Sequence, residues 1–60
     1  MTAENQITIL KALEAISQLS KTTSTNVLLN PESSINELIA SVITMTYKLS
    51  IIEGIINQAA

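Results

Sequence analysis

The only proline of the chain, Pro31, lies near its midpoint and directly follows Asn30. Proline has no backbone N–H and clashes with the preceding helical turn, so a helix cannot run through this position undisturbed. At the first position of a helix, however, proline is well tolerated, and asparagine is a favoured N-cap. Ser34 and Glu37 also have the spacing of a capping box. The sequence therefore predicts that a helix starts at Pro31.

The segment from Pro31 onward is predicted to be one helix over residues 31–58. Its apolar residues recur at intervals close to 3.5, as in helices that pack along a shared seam. They are Ile35, Leu38, Ile39, Val42, Met45, Leu49, Ile52, Ile56 and Ala59. Since Ile43, Ile51 and Ile55 lie outside this repeat, the helix is expected to be apolar on more than one face.

The N-terminal segment is predicted to form a helix over residues 3–20. Thr2 is a suitable N-cap, and Glu4 places a negative charge in the first turn, where the helix dipole favours it. One apolar stripe is formed by Ile9, Ala12, Leu13, Ile16 and Leu19. Ile7 and Leu10 lie outside that stripe, either as surface residues or as a second contact face.

Residues 21–30 are predicted to be a loop, because hydroxyl side chains and asparagine compete for backbone hydrogen bonds and lower helix propensity. Val27, Leu28 and Leu29 are too apolar for a free linker. We expect them to pack back on the helices, with a hydrophobic staple against Ile35.

These segments predict an all-α fold, a two-helix antiparallel hairpin that forms a single domain over residues 1–60. At about 1.5 Å per residue the first helix would span roughly 27 Å and the second roughly 42 Å. The second helix would then extend beyond the first from Leu49 onward, with apolar residues that have no partner in the same chain. We expect copies to associate there, and the predicted oligomer interface is Ile43, Leu49, Ile51, Ile52, Gly54, Ile55 and Ile56.

Gly54 and Tyr47 each allow two interpretations. Glycine costs about 1 kcal/mol in a helix interior. Gly54 is therefore either a point where another backbone approaches closely or a tolerated glycine near a fraying end. Tyr47, the only aromatic residue, is predicted to lie at an interface or its rim rather than to act as an acid.

Composition also favours association. Below roughly 70–80 residues a single core rarely supplies more than about 3–5 kcal/mol, and small domains usually need a cross-link or a partner. The chain has 60 residues and no Cys or His, which excludes disulfides and the usual structural zinc sites. With 47% apolar and 13% charged residues, association with other chains is the remaining source of stability.

Enzymatic function is not predicted. Without His, Cys, Asp or Arg the usual nucleophile–base pairs cannot be built. The five glutamates are dispersed along two helices, where each is best interpreted as a solvated or capping charge. No glycine-rich phosphate loop or metal-ligand cluster is present in the sequence. We therefore expect no catalytic residues, no metal and no cofactor.

Nucleic acid and membranes are not predicted partners. The net charge is −2 and the three lysines, Lys11, Lys21 and Lys48, are scattered, whereas a phosphate-binding surface needs clustered cations. The longest uncharged runs, such as residues 38–47, are about half the length that a bilayer requires, so no membrane-spanning segment is expected. The N-terminus MTAENQ does not resemble a cleavable signal.

The residues around the predicted helix start resemble a known family. The motif LLNPES at residues 28–33, a helix running to the C-terminus and GII at residues 54–56 look like needle and inner-rod subunits of bacterial type III secretion systems. The resemblance implies a hairpin whose C-terminal helix polymerises into a hollow filament, in a secreted or surface-associated location. The chain is shorter than the usual needle subunit, and its C-terminal helix lacks several turns.

Two classes of function follow. The first is a structural subunit that polymerises through its C-terminal helix, with copies of itself and other protein subunits as partners. The alternative is a small binding module that dimerises into a four-helix bundle and acts in the cytoplasm as a regulator, adaptor or chaperone. The apolar C-terminal helix and the lack of a charged recognition face favour the first.

Overall fold

The computed structural model describes residues 1–59, in which two α-helices, α1 (Ala3–Leu29) and α2 (Ile35–Ala59), are joined by a short turn. The helices lie side by side in an antiparallel hairpin that measures 43 × 15 × 11 Å. The predicted all-α hairpin is confirmed. With only two helices there is a single contact between elements, and each helix leaves most of its circumference open.

The start of α1 is as predicted. The Thr2 Oγ1 accepts a hydrogen bond from the backbone N–H of Asn5 at 3.1 Å, and the Thr2 carbonyl accepts from the N–H of Gln6 at 3.0 Å. Glu4 lies in the first turn. Thr2 is therefore the N-cap, and its side chain satisfies one of the N–H groups that a helix start leaves free.

The end of α1 is not where the sequence predicted it. The helix continues to Leu29, so the predicted end at residue 20 and the predicted loop over residues 21–30 are wrong. Thr25 remains compatible with the helix because its hydroxyl donates to the Lys21 carbonyl at 3.0 Å. Thr23 is buried against α2. Propensity differences of a few tenths of a kcal/mol per residue are outweighed by such contacts.

The connection between the helices also differs from the prediction. Asn30 is the C-cap of α1, and its N–H donates to the Asn26 carbonyl at 2.8 Å. The Asn30 carbonyl accepts from the Ser34 N–H at 3.1 Å, which closes a turn that Pro31 begins. The second helix starts only at Ile35, so the predicted helix start at Pro31 and the N-cap role of Asn30 are wrong.

The predicted capping box of Ser34 and Glu37 does not form. The Ser34 hydroxyl donates to the Pro31 carbonyl at 3.3 Å, and the Ser34 carbonyl accepts the N–H of Leu38 at 2.8 Å. The Glu37 carboxylate instead accepts a hydrogen bond from the Asn26 side chain at 2.6 Å. This pair links the two helices next to the turn, so Glu37, although in the first turn of α2, bonds to α1 and not to the start of its own helix.

Of the three apolar residues that were expected to pack back near the turn, only Val27 does so, and it is half-buried. Leu28 and Leu29 lie on the outside of the last turn of α1, with 83% and 72% of their surface exposed. The prediction that they pack back is wrong, because in a helical conformation neither Leu28 nor Leu29 lies on the side of α1 that faces α2.

The hairpin seam consists of the residues of each helix that face the other helix. In α1 they follow intervals of four and three residues, which is the spacing of coiled coils. They are Asn5, Ile9, Ala12, Ile16, Leu19, Thr23 and Asn26. In α2 the seam contains Ser41, Met45, Lys48, Ile52 and Ile55, and buried Ser34 in the turn precedes them. The predicted stripe of the first helix is confirmed except at Leu13, which is exposed.

The register of the hairpin removes the predicted overhang. Thr23 donates to Ser41 across the seam, so these residues lie at the same level. Two heptads further from the turn, Ile9 and Ile55 reach the same level. The expectation that α2 extends beyond its partner is wrong, because α1 ends at Leu29 and matches α2 along its length.

The core of the hairpin is thin. Among the described residues, Ala12 and Ile52 are the buried apolar ones, and no large side chain is completely enclosed. The remaining buried residues are Thr23, Ser34 and Ser41. Two helices alone bury little apolar surface, so a large part of the apolar content of the chain lies outside the seam.

Candidate interaction surface

The apolar repeat of α2 lies mostly outside the seam. Six of its members keep between 41% and 58% of their surface exposed: Ile35, Leu38, Ile39, Val42, Leu49 and Ile56. Where Ser41 and Lys48 face α1, the following residues Val42 and Leu49 are turned by about 100° toward the flank. The helix therefore presents its more polar track to α1 and its more apolar track to the outside.

The exposed apolar flanks of both helices lie on one side of the hairpin. Leu13 follows the seam residue Ala12 just as Val42 follows Ser41. Because the two helices are antiparallel, a rotation of about 100° past the seam leads to the same side on each. We call this surface the shared face, and it comprises Leu13, Leu38, Val42, Leu49 and Ile56.

The inner border of the shared face is also apolar. The seam residues Ile9 and Ile16 of α1 and Met45 of α2 are half-buried there. They connect Leu13 with the exposed residues of α2 across the groove between the helices. The shared face is thus connected across the groove at its centre, whereas exposed Gln6 and Ser20, seven residues before and after Leu13, make the α1 flank polar toward both ends.

A second apolar surface lies on the side of α2 that points away from α1. Ile39, Ile43 and Tyr47 follow one another at intervals of four residues, which aligns them along the helix. Their exposed fractions are 54%, 64% and 67%. We call these three residues the outer ridge.

The side opposite the shared face is mainly polar. On α1 it carries Glu4, Lys11, Gln18 and Thr22, all of them exposed. On α2 it carries exposed Ala40, Thr44 and Gln58, with Ile51 as its main apolar residue. The hairpin is therefore amphipathic as a unit, with one apolar and one polar face.

The residues that were predicted to form one oligomer interface are distributed over several sides. Ile52 is buried and Ile55 half-buried in the seam, so the expectation that they lack a partner in their own chain is wrong. Leu49 and Ile56 belong to the shared face, Ile43 to the outer ridge and Ile51 to the polar face. Gly54 is exposed, and a Cβ added to it would meet nothing within 4 Å. The residues of the shared face that sequence reasoning left out of the interface are Leu13, Leu38 and Val42.

The sequence did contain a signal for all three of these omitted residues. Leu38 and Val42 belong to the apolar repeat of the second helix, but that repeat was assigned to the contact with the first helix. Leu13 was assigned to the stripe of the first helix in the same way. In each case the spacing of the apolar residues predicts a stripe, but it does not tell which neighbour the stripe faces.

The turn contains a shallow depression of about 370 Å³ that is lined by residues 29–33. Five consecutive residues form it, and Glu32 is its one ionisable group. Within residues 1–59, no group of three or more His, Cys, Asp or Glu side chains could hold a metal ion. The depression offers neither a nucleophile–base pair nor a set of metal ligands.

One described helix, α2, is long and apolar enough to cross a membrane by length and composition alone. It carries Glu37, Lys48 and Glu53 along its length. A charged side chain near the bilayer centre is expensive. That the chain does not span a membrane stays a prediction.

No protein-family model, curated protein or solved structure matches this chain. The similarity to secretion needle subunits therefore depends on the motif at residues 28–33 and on the hairpin layout.

Proposed function

We propose that the protein is a structural subunit that assembles with copies of itself, mainly through α2. One observation carries this proposal: the apolar heptad repeat of α2 lies outside the hairpin, with Val42, Leu49 and Ile56 about half exposed. A repeat of this period is typical of helices that pack along a seam. Because α1 packs against a different side of α2, another chain is the natural partner for this repeat.

The thin core supports the same conclusion. Only Ala12 and Ile52 are buried apolar residues within the described part of the chain. Burying one Val, Leu or Ile side chain contributes about 1.5–3 kcal/mol. A contact that covers several residues of the shared face would therefore add apolar burial to a thin core, and assembly would stabilise the fold.

The outer ridge favours an assembly larger than a closed pair. Ile39, Ile43 and Tyr47 point away from α1 and lie beyond the shared face, so one pairwise contact cannot cover both surfaces. Two different contact surfaces on one subunit allow growth beyond a dimer. This observation favours a polymerising subunit over a dimeric regulator, adaptor or chaperone, in which the outer ridge would stay exposed.

The family resemblance adds the form of a filament to this proposal. The motif LLNPES spans the end of α1 and the turn, between two helices, as the layout of needle and inner-rod subunits implies. A needle-like filament would place the protein outside the cell or at its surface. This part of the proposal depends on the resemblance, whereas self-association depends on the exposed repeat.

Light scattering on the purified protein over a wide concentration range tests self-association. We expect masses well above the 6.4 kDa of one chain, rising with concentration. The variant Ile43→Lys should stop growth at a smaller species, because it places a charge in the outer ridge. Thr44→Lys on the polar face is the matched control and should assemble like the wild type. A 6.4 kDa species at every concentration would refute the proposal.

A further inference from the structure

We infer that the shared face is the docking site for a second copy of this chain, which closes the two hairpins into a four-helix unit. This inference rests on the proposed function and specifies its first contact, in which α1 takes part through Leu13. The outer ridge then remains available on both sides of the unit for further growth.

The area that the hairpin leaves exposed fits one such contact. Its accessible surface is 4589 Å². A compact monomer of 6.4 kDa is expected to expose about 3,800 Å². The excess of roughly 800 Å² equals the area that each partner contributes to an interface of standard size. A second copy that buried this much surface on the shared face would bring the exposed area per chain to the value of a compact protein.

The chemistry of the shared face suits an identical partner. Its five residues, Leu13, Leu38, Val42, Leu49 and Ile56, carry no charge and no hydrogen-bonding side chain. In a two-fold contact the same patch meets itself, and any charge at its centre would oppose a like charge. An uncharged apolar patch avoids this repulsion, whereas it gives no means of recognising a charged ligand.

The half-buried residues between the helices also favour a second hairpin. Ile9, Ile16 and Met45 lie along the groove of the shared face and are only partly covered by their own chain. A facing pair of helices would complete their burial and form the central core that one hairpin lacks. Bundles of four antiparallel helices are built around such a core.

The cations of the chain argue against a membrane surface as the occupant. Helices that lie on membranes have polar faces rich in lysine and arginine, which meet anionic headgroups. Here Lys11 is the one lysine on the polar face, since Lys21 lies on the side of α1 away from α2 and Lys48 lies in the seam, and the net charge is −2. The hairpin has the amphipathic shape but not the charge distribution for such binding.

The test compares lysine substitutions on the two faces of both helices by light scattering and circular dichroism. Leu13→Lys and Leu49→Lys place a charge at the centre of the shared face, and each, combined with Ile43→Lys to block the outer ridge, should give helical monomers. Gln18→Lys on α1 and Ala40→Lys on α2 are the matched controls and should assemble like the wild type. Ile43→Lys on the outer ridge should stop at the dimer, because its shared face is intact.

Milder variants keep the inference testable if a lysine variant fails to fold. Leu13→Ala and Leu49→Ala should each weaken the monomer–dimer equilibrium about tenfold or more, while Gln18→Ala should leave it unchanged. If the wild type assembles but the Leu13 variants assemble equally well, the inference is wrong and self-association stands. If the wild type is monomeric in solution and binds vesicles of phosphatidylserine and phosphatidylcholine through the shared face, both proposals fail.

Discussion

The Thr23 hydroxyl donates to the Ser41 hydroxyl at 2.8 Å across the hairpin, and only about 5% of each residue is exposed. Buried hydroxyls are nearly always hydrogen-bonded, because an unpaired one costs free energy. A shift of α2 by one residue along α1 would separate this pair and place Val42 opposite Thr23. The bond therefore specifies the register of the two helices, and with it the side on which the shared face lies.

Replacing Thr23 by valine should destabilise the hairpin by about 1–3 kcal/mol, because the Ser41 hydroxyl would stay buried without its donor. The free energy of unfolding is measured by urea denaturation at one fixed protein concentration, since assembly shifts the midpoint. The double variant Thr23→Val with Ser41→Ala removes both hydroxyls and should regain part of the loss. Thr25→Val, at an exposed position, should change stability by less than about 0.5 kcal/mol. An unchanged midpoint for Thr23→Val would show that the bond does not determine the register.

The two capping residues should respond differently to substitution. Thr2→Ala should cost about 0.5–2 kcal/mol, because the Thr2 side chain accepts the N–H of Asn5. Asn30→Ala should cost less, because the hydrogen bonds of Asn30 at the turn are made by its backbone. Thermal melting followed by circular dichroism compares the two variants. A larger loss for Asn30→Ala would support the helix start that the sequence suggested.

Ile52 and Ile56 should separate folding from assembly. Ile52 is buried in the seam, so Ile52→Ala should destabilise the hairpin by about 2–5 kcal/mol and reduce its helicity. Ile56 is about half exposed on the shared face, so Ile56→Ala should keep the helicity at high concentration and weaken association. Circular dichroism and light scattering on the same samples measure both effects. Equal loss of helicity in the two variants would contradict this division.

Lys48 is the only lysine in the seam, where it is half-buried at the level of Ile16. Lys48→Met keeps the length of the side chain and removes the charge, so it should stabilise the hairpin by about 1 kcal/mol. Lys11→Met on the polar face is the control and should change stability by less than about 0.5 kcal/mol. Urea denaturation measures both variants. Destabilisation by Lys48→Met would indicate that the ammonium group makes a favourable contact that outweighs its burial.

Several elements of the fold followed from local sequence. Three of them depend on residues within one or two turns of each other. They are the cap at Thr2, the break of the helix around Pro31, and the stripe of Ile9, Ala12, Ile16 and Leu19. Such short-range patterns act in any helix that contains them. They were sufficient to predict an all-α hairpin.

The tertiary structure decided the length of α1. The residues from Thr22 to Val27 have poor helix propensity, and the sequence alone suggested a loop. Propensity amounts to a few tenths of a kcal/mol per residue. The buried contact of Thr23 with Ser41 and the bond between Asn26 and Glu37 outweigh it, and both need α2 in place.

The tertiary structure also decided which face of α2 meets α1. Two lines of residues along this helix have the spacing of a seam. One runs through Ser41, Lys48 and Ile55, and the other runs through Val42, Leu49 and Ile56. The local pattern favours the second, because it is more apolar. In the hairpin the first faces α1, since the hydrogen bond of Ser41 and the short turn fix the rotation of the helix. The direction of a stripe depends on contacts distant in sequence, which periodicity alone does not contain.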